Sequence, residues 1–113
     1  MHFDVVELGP TANKVVLVGR LDSTTVGSVE TQFTAALSGS NRNAVLDLRG
    51  LEFLSSLGIR LLLSVARVMH RRGGRMVMFG AQPMVAEVLS AMALDDVLPM
   101  VATEAEAVAR LGA

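Results

Sequence analysis

Cysteine, tryptophan and tyrosine are absent from the 113-residue chain, and four phenylalanines make up the whole aromatic content of 4%. Without cysteine there is no disulfide, no thiolate metal site and no cysteine nucleophile, a composition compatible with a reducing compartment. A surplus of one charge sign is also missing: ten basic and eleven acidic side chains leave a formal net charge of −1. General binders of nucleic acid or of anionic membranes carry a large positive excess, so no direct nucleic-acid contact is expected. Long hydrophobic runs are lacking too, although 51% of the residues are hydrophobic. Arg60, Ser64 and Arg67 interrupt the richest segment. A spanning helix needs about 20 predominantly apolar residues, so no membrane insertion is expected. His2 and Asp4 stand beside hydrophobic residues at the start, with no basic region or cleavage pattern. No signal peptide is therefore read, and a cytoplasmic location is expected. The length fits one domain over residues 1–113, large enough to bury about two-thirds of its unfolded surface without covalent staples.

What is present is an alternation of strand-like and helix-like segments. Phe3 to Leu8 and Lys14 to Val18 are valine-rich runs separated by Gly9-Pro10-Thr11-Ala12-Asn13, whose turn chemistry predicts a strand pair. Val26, Val29, Phe33, Ala36 and Leu37 recur at helical spacing, and Ser38-Gly39-Ser40-Asn41 supplies a stop. Ala44 to Leu48 reads as a compact apolar strand containing Asp47. From Leu57 to Met69 the polar positions Arg60, Ser64 and Arg67, continued by Arg71, lie along one helix face. A helix with so thin a polar stripe is buried over most of its circumference. Gly73-Gly74 ends it, and Arg75 to Phe79 predicts a buried strand. Gln82-Pro83 opens a helix with Val85, Val88, Leu89 and Met92 as its apolar face. Val97 to Val101 predicts a last strand, placed at a sheet edge by Pro99. Thr103-Glu104-Ala105-Glu106 forms a capping box, Thr103 bonding forward and Glu106 back, ahead of a short helix carrying Val108 and Leu111. The order β-β-α-β-α-β-α-β-α predicts an α/β fold: a small mixed, mostly parallel sheet with helices packed on it. Ligands of such sheets sit in loops after the carboxyl ends of strands, here Arg20–Thr25 and Arg49–Gly58.

Catalytic signatures are sparse. His2 is near the start, and His70 stands among Arg67, Arg71, Arg72 and Arg75, where cations oppose a helix dipole or form a patch for an acidic partner. Neither histidine has metal-ligand spacing. No G-x-S-x-G elbow, Walker A loop or G-x-G-x-x-G occurs. Asp47 at the end of a central strand suggests a phospho-accepting aspartate. Receiver domains of that kind pair it with acids after strand one and a lysine after strand five. Here strand one ends in Leu8-Gly9-Pro10, and Lys14 is the sole lysine. Asp95-Asp96 reads as a solvated helix end. No catalytic residue, metal ligand or cofactor is assigned, and the chain is not expected to be an enzyme.

Leu51-Glu52-Phe53-Leu54-Ser55-Ser56-Leu57-Gly58-Ile59-Arg60 joins a buried strand to the apolar helix, with two serines at the junction. A serine there caps unpaired N–H groups, worth about 1 kcal/mol. The same N–H groups and helix dipole favour a phosphate, so a hydroxyl at this place can also accept a phosphoryl group. Spacing leaves both roles open.

Several of these segments together resemble the STAS domain family, named for sulphate transporters and anti-sigma factor antagonists. Val18-Gly19-Arg20-Leu21-Asp22 resembles the family's Gly-x-Leu-Asp strand ending, and Val45-Leu46-Asp47-Leu48 its apolar strand with an embedded Asp. Leu54-Ser55-Ser56-Leu57-Gly58-Ile59-Arg60-Leu61-Leu62 resembles hydrophobic-(Asp/Ser)-Ser-x-Gly-Leu-(Gly/Arg)-hydrophobic-Leu. Gly73-Gly74 with its following strand and the closing helix from Thr103 to Ala107 continue the match. The resemblance implies an antagonist that binds an anti-sigma factor with serine kinase activity and so frees a sigma factor. Phosphorylation by that kinase then breaks the complex, and a phosphoserine phosphatase resets it. Matched by position, Ser56 is the phospho-acceptor with Ser55 as backup. Asp22, Ser23, Ser55, Ser56, Leu57, Gly58 and Arg60 form the partner surface, with Asp22 close to the serine. Many members have Asp where Ser55 stands and Ser where Leu57 stands. The resemblance also admits an unphosphorylated interaction module of a transport or stress-sensing complex, with the serines acting as caps. A monomer or weak homodimer is expected.

Overall fold

The computed structural model describes residues 1–38, 42–92 and 97–111. A five-stranded sheet is built from β1 (His2–Glu7), β2 (Ala12–Leu21), β3 (Asn43–Leu54), β4 (Met76–Phe79) and β5 (Met100–Val101), ordered as in the sequence. Four helices join or succeed them: α1 (Val26–Ser38), α2 (Ser56–Arg71), α3 (Pro83–Ala91) and α4 (Glu104–Arg110). β1 and β2 form the expected antiparallel pair, with His2 opposite Val18 and Glu7 opposite Asn13; every later pairing is parallel. The α/β architecture and its element order match the sequence pattern.

Parallel neighbours need crossovers, and crossovers of one hand that step in one direction lay their helices on one face. Accordingly Val29, Phe33 and Leu37 of α1, Ile59, Leu62, Val65 and Met69 of α2, and Val85 and Leu89 of α3 share one core with Val15, Leu17, Leu46 and Leu48 of the sheet. The other face carries a smaller cluster of Val45, Val77, Phe79 and Ala107, the last from α4. Val108 and Leu111 pack at its margin.

Several expectations are corrected. β3 does not stop at Leu48 but runs to Leu54, because two register shifts against β2 absorb the polar residues that break its apolar run. Gly50 is a close-approach residue within that strand, since an added Cβ would lie 3.1 Å from Val18 Cγ2 and 3.2 Å from Leu17 O. Val88 and Met92, expected in the α3 core face, are exposed; Val85 and Leu89 suffice to bury that short helix. The exposed face of α2 is wider than its polar stripe, taking in Ser56, Leu57 and His70. In the α4 capping box Thr103 Oγ1 accepts from Glu106 N at 3.2 Å, as expected. The return contact differs, with the Thr103 hydroxyl donating to Glu106 Oε1 at 3.1 Å. β5 is at the sheet edge, as expected, but the strand expected over Val97 to Val101 shrinks to Met100–Val101, with Pro99 just ahead of it. Gly39, Ser40 and Asn41 of the α1 stop, and Asp95-Asp96, lie outside the described residues. No described helix is long and apolar enough to cross a membrane.

Candidate functional site

Two strand-to-helix junctions meet at the carboxyl end of the sheet. The backbone N–H of Ser55, just past β3, donates to Leu21 O at the end of β2 at 2.9 Å. Behind this bond sits buried Gly58, where an added Cβ would fall 2.8–2.9 Å from Leu54 Cδ1, Leu21 Cγ and Leu21 O. Glycine here lets the first turn of α2 lie directly on the end of β2. Gly58 thus belongs to the site as packing; its face is turned inward rather than toward a partner.

The two adjacent serines have different surroundings. Ser55 is the N-cap of α2: its backbone is extended, and its Oγ accepts from Gly58 N at 3.2 Å. Its carbonyl accepts the first helical N–H, from Ile59, at 2.9 Å. Ser56 is the first helical residue and is exposed; among the described residues its hydroxyl has no hydrogen-bond partner. The N–H groups of Ser56 and Leu57 also lack partners there, as the first donors of a helix do. No acidic side chain stands in this first turn. The chemistry of the junction is therefore a free, solvated hydroxyl beside two free N–H donors at the positive end of a sixteen-residue helix.

Asp22, next to Leu21, makes no hydrogen bond to these serines among the described residues. Its Oδ1 accepts from Thr24 N at 3.0 Å and Thr25 N at 3.1 Å, closing a turn ahead of α1. The turn is locked by Thr25 Oγ1, which accepts from Asp22 N at 2.9 Å and donates to Arg20 O at 2.7 Å. The Thr25 backbone bond holds the Asp22 carboxyl below its ordinary range, against the opposing effect of partial desolvation. Asp22 therefore stays anionic and shapes the loop, while Ser23 at its crest is exposed.

Beyond the loop, Leu57 is 42% exposed. With Arg60, Leu61 and Ser64 it lines a shallow groove of about 320 Å³ against Val26, Glu30 and Thr34 of α1. Of the residues the sequence assigned to this surface, Ser23, Ser56, Leu57 and Arg60 are exposed, Asp22 and Ser55 are half-buried, and Gly58 is buried. The sequence placed Arg20 and Phe53 in its two candidate loops but not against each other. Arg20 stacks its guanidinium 4.4 Å above the Phe53 ring, and its Nε lies 3.8 Å from Asp22 Oδ2. That pairing depends on the register shifts between β2 and β3, which leave no mark in the sequence. The Asp22 turn did carry a signal, since Asp followed by Ser-Thr-Thr favours side chain-to-backbone turns.

Asp47, the other acid weighed for phosphoryl chemistry, is occupied. Its Oδ2 and Oδ1 accept from Arg49 Nη2 at 2.7 Å and Nε at 2.9 Å, and Oδ1 also accepts from Arg49 N at 3.0 Å. The Arg49 hydrogen bonds lower the Asp47 pKa despite its burial, and the pairing raises that of Arg49. No group of three or more acidic, histidine or cysteine residues able to hold a metal occurs among the described residues.

Known proteins share this fold and family. The family model described as STAS domain matches residues 6–107. A Bordetella bronchiseptica protein named as an anti-sigma factor antagonist, BtrV, is 32% identical over 93 residues, covering 82% of this chain and 79% of that one. An anti-sigma factor antagonist from Mycobacterium paratuberculosis superposes with a TM-score of 0.85 at 21% identity, over 99% of this chain and 94% of the other. The unphosphorylated form of the anti-sigma factor antagonist SpoIIAA gives 0.78 at 22% identity, over 98% and 96%. SpoIIAA in its phosphorylated form, there called a Bacillus cell fate determinant, gives 0.71 at 22% identity, over 96% and 98%.

Proposed function

The chain belongs to the STAS domain family, and on that premise we propose that it is an anti-sigma factor antagonist switched by phosphorylation of Ser56. It binds an anti-sigma factor that is also a serine kinase, and so frees a sigma factor. The observation that carries this reading is the division of labour at the α2 N-terminus: Ser55 caps the helix and Ser56 stands free. In the transfer, Ser56 Oγ attacks the γ-phosphorus of ATP held by the kinase. The new Oγ–P bond replaces the bond to the β-phosphate oxygen, ADP leaves, and the hydroxyl proton passes to a base of the kinase or to water.

The product fits the same geometry. A phosphoserine brings about −1.5 to −2 charges to a chain whose formal net charge is −1. The free N–H groups of Ser56 and Leu57, together with the helix dipole, stabilise an anion there by about 0.3–1 kcal/mol. Phosphorylation therefore leaves the domain folded and changes the surface instead. A partner seated on Ser23, Ser56, Leu57 and Arg60 meets an added dianion at its centre and loses affinity tenfold for each ~1.4 kcal/mol. A phosphoserine phosphatase restores the hydroxyl.

The test uses the anti-sigma kinase recovered with the chain from native lysate. With ATP, the chain takes up one phosphoryl group; Ser56→Ala takes up none and Ser55→Ala is still labelled. Absence of phosphoserine in cell-derived protein, with Ser56→Asp binding the partner as the unaltered chain does, overturns the switch and leaves an unphosphorylated interaction module.

A further inference from the structure

A cavity of about 190 Å³ lies at the opposite end of the sheet, where β4 begins, between the carboxyl ends of α2 and α4. Ser56 and His70 stand fourteen residues apart on α2, about 21 Å along its axis, so the cavity is remote from the serine junction. Its lining carries two arginines, Arg75 ahead of β4 and Arg110 from α4, beside His70 from α2. None of the described lining residues is acidic. Nor does either arginine join an ion pair among the described residues. Ala66, Met76 and Val97 supply an apolar floor to a pocket whose exposed lining is otherwise largely polar, with His70, Arg75 and Arg110 exposed at its mouth.

Cations at helix carboxyl ends counter the helix dipole, which accounts for Arg110. It does not account for Arg75, which precedes a strand. Arg75 is also fixed in place. Its N–H donates to Asn43 Oδ1 at 2.9 Å, and its carbonyl accepts from Ala44 N at 2.9 Å. Its Nη1 donates to Arg110 O at 3.2 Å. A guanidinium has five N–H donors in a planar fork; with a single hydrogen bond made, the remaining edge is free to bind a carboxylate through two parallel bonds. The pocket's volume of about 190 Å³ has room for a small organic acid.

The geometry points to a binding site for a small organic carboxylate with a compact apolar body, the carboxylate on Arg75 and the body against Ala66, Met76 and Val97. This site is independent of the phosphorylation reading. The probes are benzoate, its neutral counterpart benzamide, and acetate, which has the charge without the body, each titrated into the ¹⁵N-labelled full chain. Benzoate is expected to give saturating amide shifts at His70, Gly74 to Val77 and Arg110, with benzamide and acetate at least tenfold weaker. Arg75→Gln is expected to weaken benzoate at least tenfold. Arg110→Gln serves as a second variant should loss of the Arg75 side chain disturb the fold by circular dichroism. Ser56→Ala binds benzoate unchanged, so failure here is separable from failure of the switch. Equal binding of benzamide and benzoate overturns the proposal. So do benzoate shifts that fail to saturate or that extend equally to Arg60 and Arg67, and so does wild-type affinity in the folded arginine variants.

Discussion

Replacing each junction serine in turn separates helix capping from phosphoryl acceptance. Ser55→Ala removes the acceptor that holds Gly58 N at 3.2 Å. Loss of an N-cap serine costs about 1 kcal/mol, within a range of about 0.5–2. Unfolding entropies of about 2.1 cal/mol/K per residue give this 113-residue chain about 0.24 kcal/mol/K, so Tm should fall by about 4 °C. Ser56→Ala removes an exposed hydroxyl with no described partner and puts a better helix former at the first helical position. Its effect should stay within about ±0.5 kcal/mol, or about 2 °C in Tm. Phosphate uptake should show the reverse order, with Ser56→Ala unlabelled and Ser55→Ala labelled. Scanning calorimetry of the two variants, then intact-mass measurement after incubation with the kinase and ATP, reads both effects. Equal Tm losses would refute the capping assignment. Labelling that survives Ser56→Ala and disappears in Ser55→Ala would refute the assignment of the acceptor.

Gly58→Ala should destabilise by about 1–3 kcal/mol, the range for overpacking a tight contact, since the new methyl meets Leu21 O at 2.9 Å; urea unfolding measures it. Asp47 has a depressed folded pKa through its Arg49 hydrogen bonds. Its stabilisation is therefore complete above the unfolded carboxylate value of about 3.9 and is lost as pH falls through the lower folded value. Asp47→Asn should cost about 2 kcal/mol at neutral pH and flatten the acid limb of a stability–pH curve, as urea midpoints across that range would show. Arg60→Glu and Leu57→Ala should each weaken the anti-sigma complex at least tenfold, about 1.4 kcal/mol, in a calorimetric titration, with Tm nearly unchanged because both side chains are exposed.

The fold was legible where periodicity speaks directly. Apolar runs marked β2, β3 and β4, the stripe of Arg60, Ser64 and Arg67 marked α2, and Pro99 marked the edge. Reading Arg49-Gly50 as the end of a strand failed because register shifts are a property of two strands together, and the partner's twist is not written in either one. Val88 and Met92 misled because helical spacing identifies a potential apolar face, whereas α3 needs only Val85 and Leu89 to cover its part of the sheet. At the junction, residue type and spacing located both serines but not their roles. Cap and first helical residue differ by a single position, and the choice depends on which Oγ reaches Gly58 N. Gly58 looked like part of a contact surface until the proximity of Leu21, which is distant in sequence, gave it another task.

Sequential strand order has a bearing on assembly. Each new strand of this sheet is laid beside the one made just before it, so no later segment has to be threaded between elements already formed. The Ser55–Leu21 bond joins the ends of β2 and β3, and α2 is complete at Arg71. A chain growing from its amino terminus therefore has every residue of the serine junction available before β4 begins. The later strands β4 and β5 extend the sheet at the far edge, and α4 covers its second face. The junction stays at the free carboxyl ends of strands already in place.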